Sequence, residues 1–154
     1  MTDARGTLER LYREQGAKLW RALFAFSGDR EMANDALAEA FAQVLARGDA
    51  IAKPDAWVWT AAFRIAAGQL RARRRAPIGV TERSSYEMPD PVVDLVVALS
   101  KLPPKQRMAI VLHDYADRPT DEVARALGSS KATVHVHLSQ GRRRLRALLE
   151  DAGD

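Results

Sequence analysis

The sequence predicts an all-α fold, on three observations. Alanine and leucine supply much of the 47% hydrophobic content, and β-branched residues are sparse until the second half. That balance favours helices. Apolar residues recur at helical rather than alternating spacing. The patterned stretches stop at glycine, proline or serine–aspartate breaks, where helices begin and end. With 154 residues the chain suits one domain or two small ones joined by a linker.

Three helices are expected before residue 76. Leu8, Leu11, Tyr12, Leu19, Leu23 and Phe24 form the apolar side of the first. Ser27-Gly28-Asp29 interrupts it, and Asp29 can cap the next helix. The second carries Met32, Ala33, Ala36, Leu37, Ala40, Phe41, Val44 and Leu45 on one broad stripe and stops at Gly48. Pro54 suits the first turn of a third helix, whose buried side reads Trp57, Val58, Ala61, Ile65 and Gly68. Residues 76–91, APIGVTERSSYEMPDP, have no period and read as an extended, flexible acidic linker. Four helices follow. The first is Val92 to Lys101, and the second runs from Pro103-Pro104 to about Tyr115. The third is capped by Thr120 and ends at Gly128; the fourth is capped by Ser130 and ends near Leu149. The expected units are 1–75, the linker 76–91, and 92–154.

Charge is distributed unevenly. The net charge is +4, but Arg64, Arg71, Arg73, Arg74 and Arg75 cluster with no acid among them. Glu82, Glu87, Asp90 and Asp94 reverse the sign, and Arg142, Arg143, Arg144 and Arg146 restore it. Two separate basic blocks suggest two nucleic-acid footprints. The chain has no cysteine, which excludes disulfides, thiolate nucleophiles and Cys-ligated zinc. No apolar run reaches the roughly 20 residues that span a bilayer, and the N-terminus lacks the apolar core of a signal peptide. A cytoplasmic location is therefore expected.

Thr120 to Leu138 is the most informative segment. A short helix, the turn Leu127-Gly128-Ser129 and a longer capped helix make a helix-turn-helix. Val123, Ala124 and Leu127 can pack on Val134 and Leu138. The opposite face then carries Ala132, Val136, Ser139 and Arg143, flanked by Lys131 and His135. Such small and polar residues suit a surface that enters a major groove.

The surrounding residues resemble region 4 of the sigma-70 family. The shared features are the Leu102-Pro103-Pro104-Lys105-Gln106-Arg107 opening, Asp121-Glu122-Val123-Ala124 in the first motif helix, and Thr133-Val134 followed by Leu138 and arginine. The first half, LYREQGAKLWRALFAFSGDREMANDALAEAFAQVLAR with AWVWTAAFRIAAGQLRARRR, looks like region 2 of the same family. Only the acidic linker separates the two, as in the compact extracytoplasmic-function subgroup. The resemblance implies two helical domains and a factor that directs polymerase core to a promoter, with no catalysis and no cofactor. Asp35, Glu39 and Gln43 would meet the clamp helices of the β′ subunit. Trp59, Thr60, Phe63, Arg64, Arg71, Arg73 and Arg74 would contact the −10 element. Ser130, Lys131, Thr133, His135, Val136, Ser139, Arg142 and Arg143 would contact the −35 element, with the β flap and an anti-sigma factor as further partners. The pattern departs from the family at Ala38, at Arg64 and Gly68, and at His135 and His137, which bears on the promoter recognised.

Other readings compete at several of these positions. Trp57 shares a stripe with Ala61 and Ile65 and is expected in the core. Trp59 points about 160° from Ala61 and is expected to be free to stack on an unpaired base. His135 and His137, at i and i+2, point to different helix faces, and no carboxylate completes a metal set. Asp35 and Glu39 lack the second pair that a carboxylate metal centre needs. No Walker loop, dinucleotide fingerprint or nucleophile elbow is present. The alternatives are a stand-alone helix-turn-helix regulator and a sigma-like decoy that sequesters polymerase or an anti-sigma factor.

Overall fold

The computed structural model describes residues 4–75 and 90–153, and among these every regular element is helical. Most of the stretch read as a linker, with Glu82 and Glu87, lies outside the described residues. Helices α1 (Ala4–Ser27), α2 (Arg30–Arg47) and α3 (Pro54–Arg75) pack on one another as a first bundle. Helices α4 (Asp90–Ser100), α5 (Pro104–Ala109), α6 (Thr120–Leu127) and α7 (Lys131–Gly153) form the second. A short 3-10 turn, Gly48–Ala50, follows α2, and α5 continues into a π-helical turn, Ile110–Tyr115.

Local chemistry explains most boundaries. Gly28 takes φ 70°, which a glycine reaches without a Cβ penalty, and Asp29 then accepts a hydrogen bond from Met32 N at 3.0 Å as the cap of α2. Gly128 is left-handed (φ 67°, ψ 40°), and Ser129 N reaches back to Ala124 O at 3.0 Å. That closure turns the chain sharply between α6 and α7. Ser130 accepts from Thr133 N at 3.1 Å and caps α7.

Three boundaries differ from expectation. Thr120 does not cap α6. It is the first helical residue, and Pro119 holds the cap position in extended geometry without a side-chain bond. The donors at this end are met by Pro119 O and by Asp121 Oδ1, which accepts from Glu122 N at 3.0 Å. Helix α4 begins at Asp90, two residues inside the expected linker. Helix α7 runs on to Gly153.

The two bundles share an interface. Arg107 of α5 reaches across to the Phe26 carbonyl at the end of α1, and the Phe26 ring meets Phe63 within the first bundle at 5.5 Å between centroids. Gly28 approaches Val96 of α4. Helix α6 lies against α3. Within the second bundle, α5 and α7 touch closely at Gly141, where an added Cβ would stand 2.8 Å from Ile110 Cδ1 and 3.3 Å from Gln106 Cβ. Gly68, in the interior of α3, has open space around it.

These two glycines should respond in opposite directions. Gly141→Leu overfills a tight contact and is expected to cost about 2 kcal/mol. Gly68→Ala gains helix propensity without a clash and should add up to about 1 kcal/mol. Urea titration of helical circular dichroism compares the two, and a stabilised Gly141→Leu protein would contradict the packing described.

Candidate nucleic-acid interface

Helix α7 presents the face that the sequence anticipated. Val134 and Leu138 are buried against Val123 and Ala124, while Lys131, Ala132, Thr133, His135, Val136, Ser139, Arg142 and Arg143 are exposed. Val136, 51% exposed, stands in the middle of this face. Exposed apolar side chains of this size are what a groove-facing helix offers to thymine methyl groups. Ser130 and Thr133 also bond to each other, oxygen to oxygen at 3.0 Å, so both serve the cap. His137 is half-buried toward α3, and its Nδ1 has no hydrogen-bond partner.

Arg142 is not a loose surface cation. Its Nε and Nη2 donate to Asp114 Oδ2 and Oδ1 at 2.8 and 2.7 Å. Asp114 sits on the π-helical turn, beside His113, whose Nδ1 is 2.9 Å from the same Oδ1. A π-turn inserts an extra residue and re-aims the side chains that follow it. Here Ala116 N bonds Val111 O at 3.0 Å, and Asp117 takes φ 57° as the chain leaves the turn. The Arg142 guanidinium holds the Asp114 carboxyl below its ordinary range, with His113 adding to the effect against partial burial.

The α3 face differs from expectation. Trp59 and Phe63 are fully buried, and Trp59 Nε1 donates to Gln15 Oε1 at 3.2 Å. The buried stripe of α3 is Val58, Trp59, Ala62, Phe63 and Ala66. Trp57, expected in the core, is instead half-buried, with the Arg47 guanidinium 5.1 Å from its ring centroid. Trp59 thus takes the buried place assigned to Trp57, which packs at the edge of the core, and in this arrangement Trp59 has no face free for a base. The reason is that α3 packs on two sides. Gln15 of α1 takes the indole N–H, and Arg118, from the second bundle, lies 4.9 Å over the Trp59 ring. Thr60 is half-buried and its Oγ1 has no partner. Arg64 is exposed and donates to the Arg125 carbonyl of α6. Arg71 is exposed, and Arg73 pairs with Asp29 at 2.6 Å. The side chain of Arg74 lies outside the described residues.

Between α3, the turn before it and α6 is a cleft of about 1010 Å³, lined among others by Lys53, Trp57, Thr60, Arg64, Arg118 and Arg125. Arg118 is its best-fixed cation. It bonds Glu122 at 2.6 and 2.8 Å and lies 3.5 Å from Asp55. Burial opposes its charge, yet Glu122 and then Asp55 outweigh that and raise its pKa. Sequence reasoning missed Asp114, whose partner Arg142 is distant in sequence, and Arg118, whose local pair with Glu122 gives no sign of the Asp55 and Trp59 contacts it also makes. The proximity of Trp59 and Phe63, at i and i+4, was the available signal for the true buried stripe.

On α2, Asp35 and Glu39 are exposed, with Ala38 and Ala42 between and beside them. Gln43 Nε2 donates to Glu39 Oε2 at 3.0 Å. The three residues share one side of α2, and at its Gln43 end that side is half-buried and lines the cleft beside α3. Among the described residues no group of His, Asp and Glu could hold a metal, and no helix is long and apolar enough to cross a membrane.

Two helical bundles, with a capped helix-turn-helix in the second, define a class of helical DNA-binding fold. Comparison with known proteins is specific. The family model described as "Sigma-70, region 4" matches residues 93–145. The ECF RNA polymerase sigma factor SigL of Mycobacterium tuberculosis is 30% identical over 157 aligned positions, covering 93% of this chain and 89% of that protein. Two solved structures share the fold. The sigma factor RpoE of Bartonella quintana, in complex with the anti-sigma factor NepR, matches with TM-score 0.77 and 22% identity, over 92% of this chain and 96% of that one. CnrH, in complex with the cytosolic domain of CnrY, matches with TM-score 0.72 and 24% identity, over 96% and 90%. The chain belongs to the extracytoplasmic-function sigma factors of the sigma-70 family.

Arg118 offers a direct test of the α3–α6 contact. Its loss would leave Glu122, whose side chain is 6% exposed, without its cation. Breaking a buried pair from one side is costly, so Arg118→Ala is expected to lose about 3 kcal/mol in urea unfolding. The native tryptophan emission should also move to longer wavelength as Trp59 loses its cover. Unchanged emission would place the Arg118 side chain elsewhere.

Proposed function

We propose that this protein binds RNA polymerase core in the cytoplasm and directs it to promoters whose −35 element is read by α7. The observation that carries this reading is the exposed Lys131–Arg143 face of α7, positioned by the Gly128 turn within the segment that matches sigma-70 region 4. The domain division proposed is that residues 1–75 serve polymerase and the −10 element and residues 92–154 the −35 element, with 76–91 between them, although α4 already begins at Asp90. Asp35, Glu39 and Gln43 are the polymerase contacts, because they are acidic or polar, lie along one side of α2 and are flanked by alanines that allow close approach. On the −10 side, Trp57 and Thr60 in the basic cleft replace Trp59 and Phe63 as the base contacts, with Arg64, Arg71, Arg73 and Arg74 for the phosphates. An anti-sigma factor is a further partner, by analogy with the complexes of RpoE and CnrH.

A second reading is favoured by one observation. Helix α6 lies over α3, and Arg64 and Arg118 are engaged between the bundles. A protein that stayed in this arrangement would sequester polymerase without opening DNA. Transcription in vitro with purified core on a genomic promoter library separates the two. Initiation at a defined set of sites supports the sigma reading. Core binding without initiation supports the decoy, and failure to bind core removes both.

Charge reversal on α2 is the corresponding mutational test. Asp35→Lys with Glu39→Lys should weaken core binding at least about tenfold, roughly 1.4 kcal/mol, while leaving helix content unchanged. Undiminished affinity would remove α2 from the docking surface.

A further inference from the structure

The Asp114–Arg142 pair extends the reading of α7 as a DNA-contacting helix, on which the following rests. A guanidinium has five N–H donors arranged in forks. Asp114 takes the Nε and one Nη2 donor, along a single edge. The Nη1 amino group has no hydrogen-bond partner among the described residues, and the Arg142 side chain is still 47% exposed. The remaining fork, Nη1 with the second Nη2 hydrogen, is therefore open to solvent.

Its location is at the edge of the reading face. By helix geometry Arg142 lies on the same flank of α7 as Lys131, His135 and Ser139, all of them exposed. A phosphate running beside a groove-bound helix meets this flank, not its centre. An unsupported arginine reaching such a phosphate would lose its rotamer freedom on binding. Arg142 has already lost it, because the π-turn Ile110–Tyr115 brings a carboxylate from 28 positions earlier in the chain to hold it. The carboxylate itself is matched by the guanidinium and by His113.

We propose that Asp114 is a positioning residue for DNA binding: it fixes Arg142 edge-on, so that the open fork of the guanidinium grips one backbone phosphate beside the recognition helix. The opposing possibility is that Asp114 stands in for phosphate and withholds Arg142 from DNA. The two differ in sign. Positioning predicts that loss of the carboxylate weakens binding; withholding predicts that it strengthens binding.

The test uses the full chain and a short duplex selected by that chain from a random library, with a mixed-sequence duplex of equal length as control. Four proteins are compared: the parent, Asp114→Asn, Arg142→Ala and the double variant, each checked for helix content. Arg142→Ala should weaken binding and reduce the salt slope by about 1, the signature of one lost phosphate contact. Asp114→Asn should weaken binding about fivefold in the parent, on selected and mixed duplexes alike. In the Arg142→Ala background it should cost nothing. Tighter binding by Asp114→Asn would overturn the proposal in favour of withholding. An equal loss in both backgrounds would overturn it by making Asp114 merely structural. If the parent shows no salt-dependent binding to any duplex, the DNA reading of α7 fails and the proposal with it. Parent binding with a wrong coupling pattern removes only the role of Asp114.

Discussion

A buried guanidinium joins the two bundles, and the arrangement of the rest depends on it. Arg107 is 7% exposed. A charge taken out of water must be surrounded by opposing dipoles to be tolerable. Arg107 donates to Phe26 O at 3.0 Å, Leu102 O at 3.1 Å and Ser100 O at 3.2 Å. Phe26 and Ser100 lie in the last turns of α1 and α4, and Leu102 just beyond. These are carbonyls left without helical partners, at the negative ends of two helix dipoles. The cation thus satisfies the helix ends while they neutralise it, and its central carbon lies 5.5 Å from the Phe26 ring centroid. Because one helix end belongs to each bundle, the same interaction sets their relation.

That relation places α6 over α3 and leaves α7 open. The two candidate reading surfaces are therefore in unequal states: the α7 face is exposed, and the α3 face is partly covered. The contacts that cover it are of mixed strength. The Arg118–Asp55 approach, at 3.5 Å with Asp55 half-exposed, is a surface pair of the kind that contributes at most about 1 kcal/mol. The Arg64 bond to the Arg125 carbonyl is also solvent-exposed. The Arg118–Glu122 pair is stronger but lies wholly within the second bundle, so separating the bundles would leave it intact. Separation is opposed by the packing of α1 on α4 and of α3 on α6 and by the Arg107 bond to Phe26 O.

What could be read from the sequence was local. Asp29, Gly128 and Ser130 announce a cap, a left-handed turn and a cap through groups no more than five residues away, and all three behave accordingly. The exposed α7 face followed from the same kind of signal, since Val134 and Leu138 had to be buried. The tryptophans were misassigned because α3 carries two apolar stripes, Trp57–Ala61–Ile65 and Trp59–Phe63, and periodicity cannot rank them. Tertiary contacts with Gln15 and Arg118 decide it. The π-turn was invisible for a related reason. Its sequence, IVLHDY, continues an ordinary helical pattern, and only the partner on α7 reveals the re-aimed Asp114.

The two basic blocks show how far a count of charges is from a description of an electrostatic surface. Arg73 is committed to Asp29, Arg142 to Asp114, and Arg64 to a backbone carbonyl. Arg71 and Arg143 are exposed with no such partner among the described residues. A freely moving arginine contributes to the field that attracts a polyanion and to the salt dependence of its capture, but it accepts many phosphate positions. A held arginine accepts few, so it carries information about register. On α7 the free Arg143 lies toward the exposed Ala132–Val136 side and the held Arg142 on the flank. The sequence places them side by side, and the fold, through one carboxylate on a distorted turn, gives them different work.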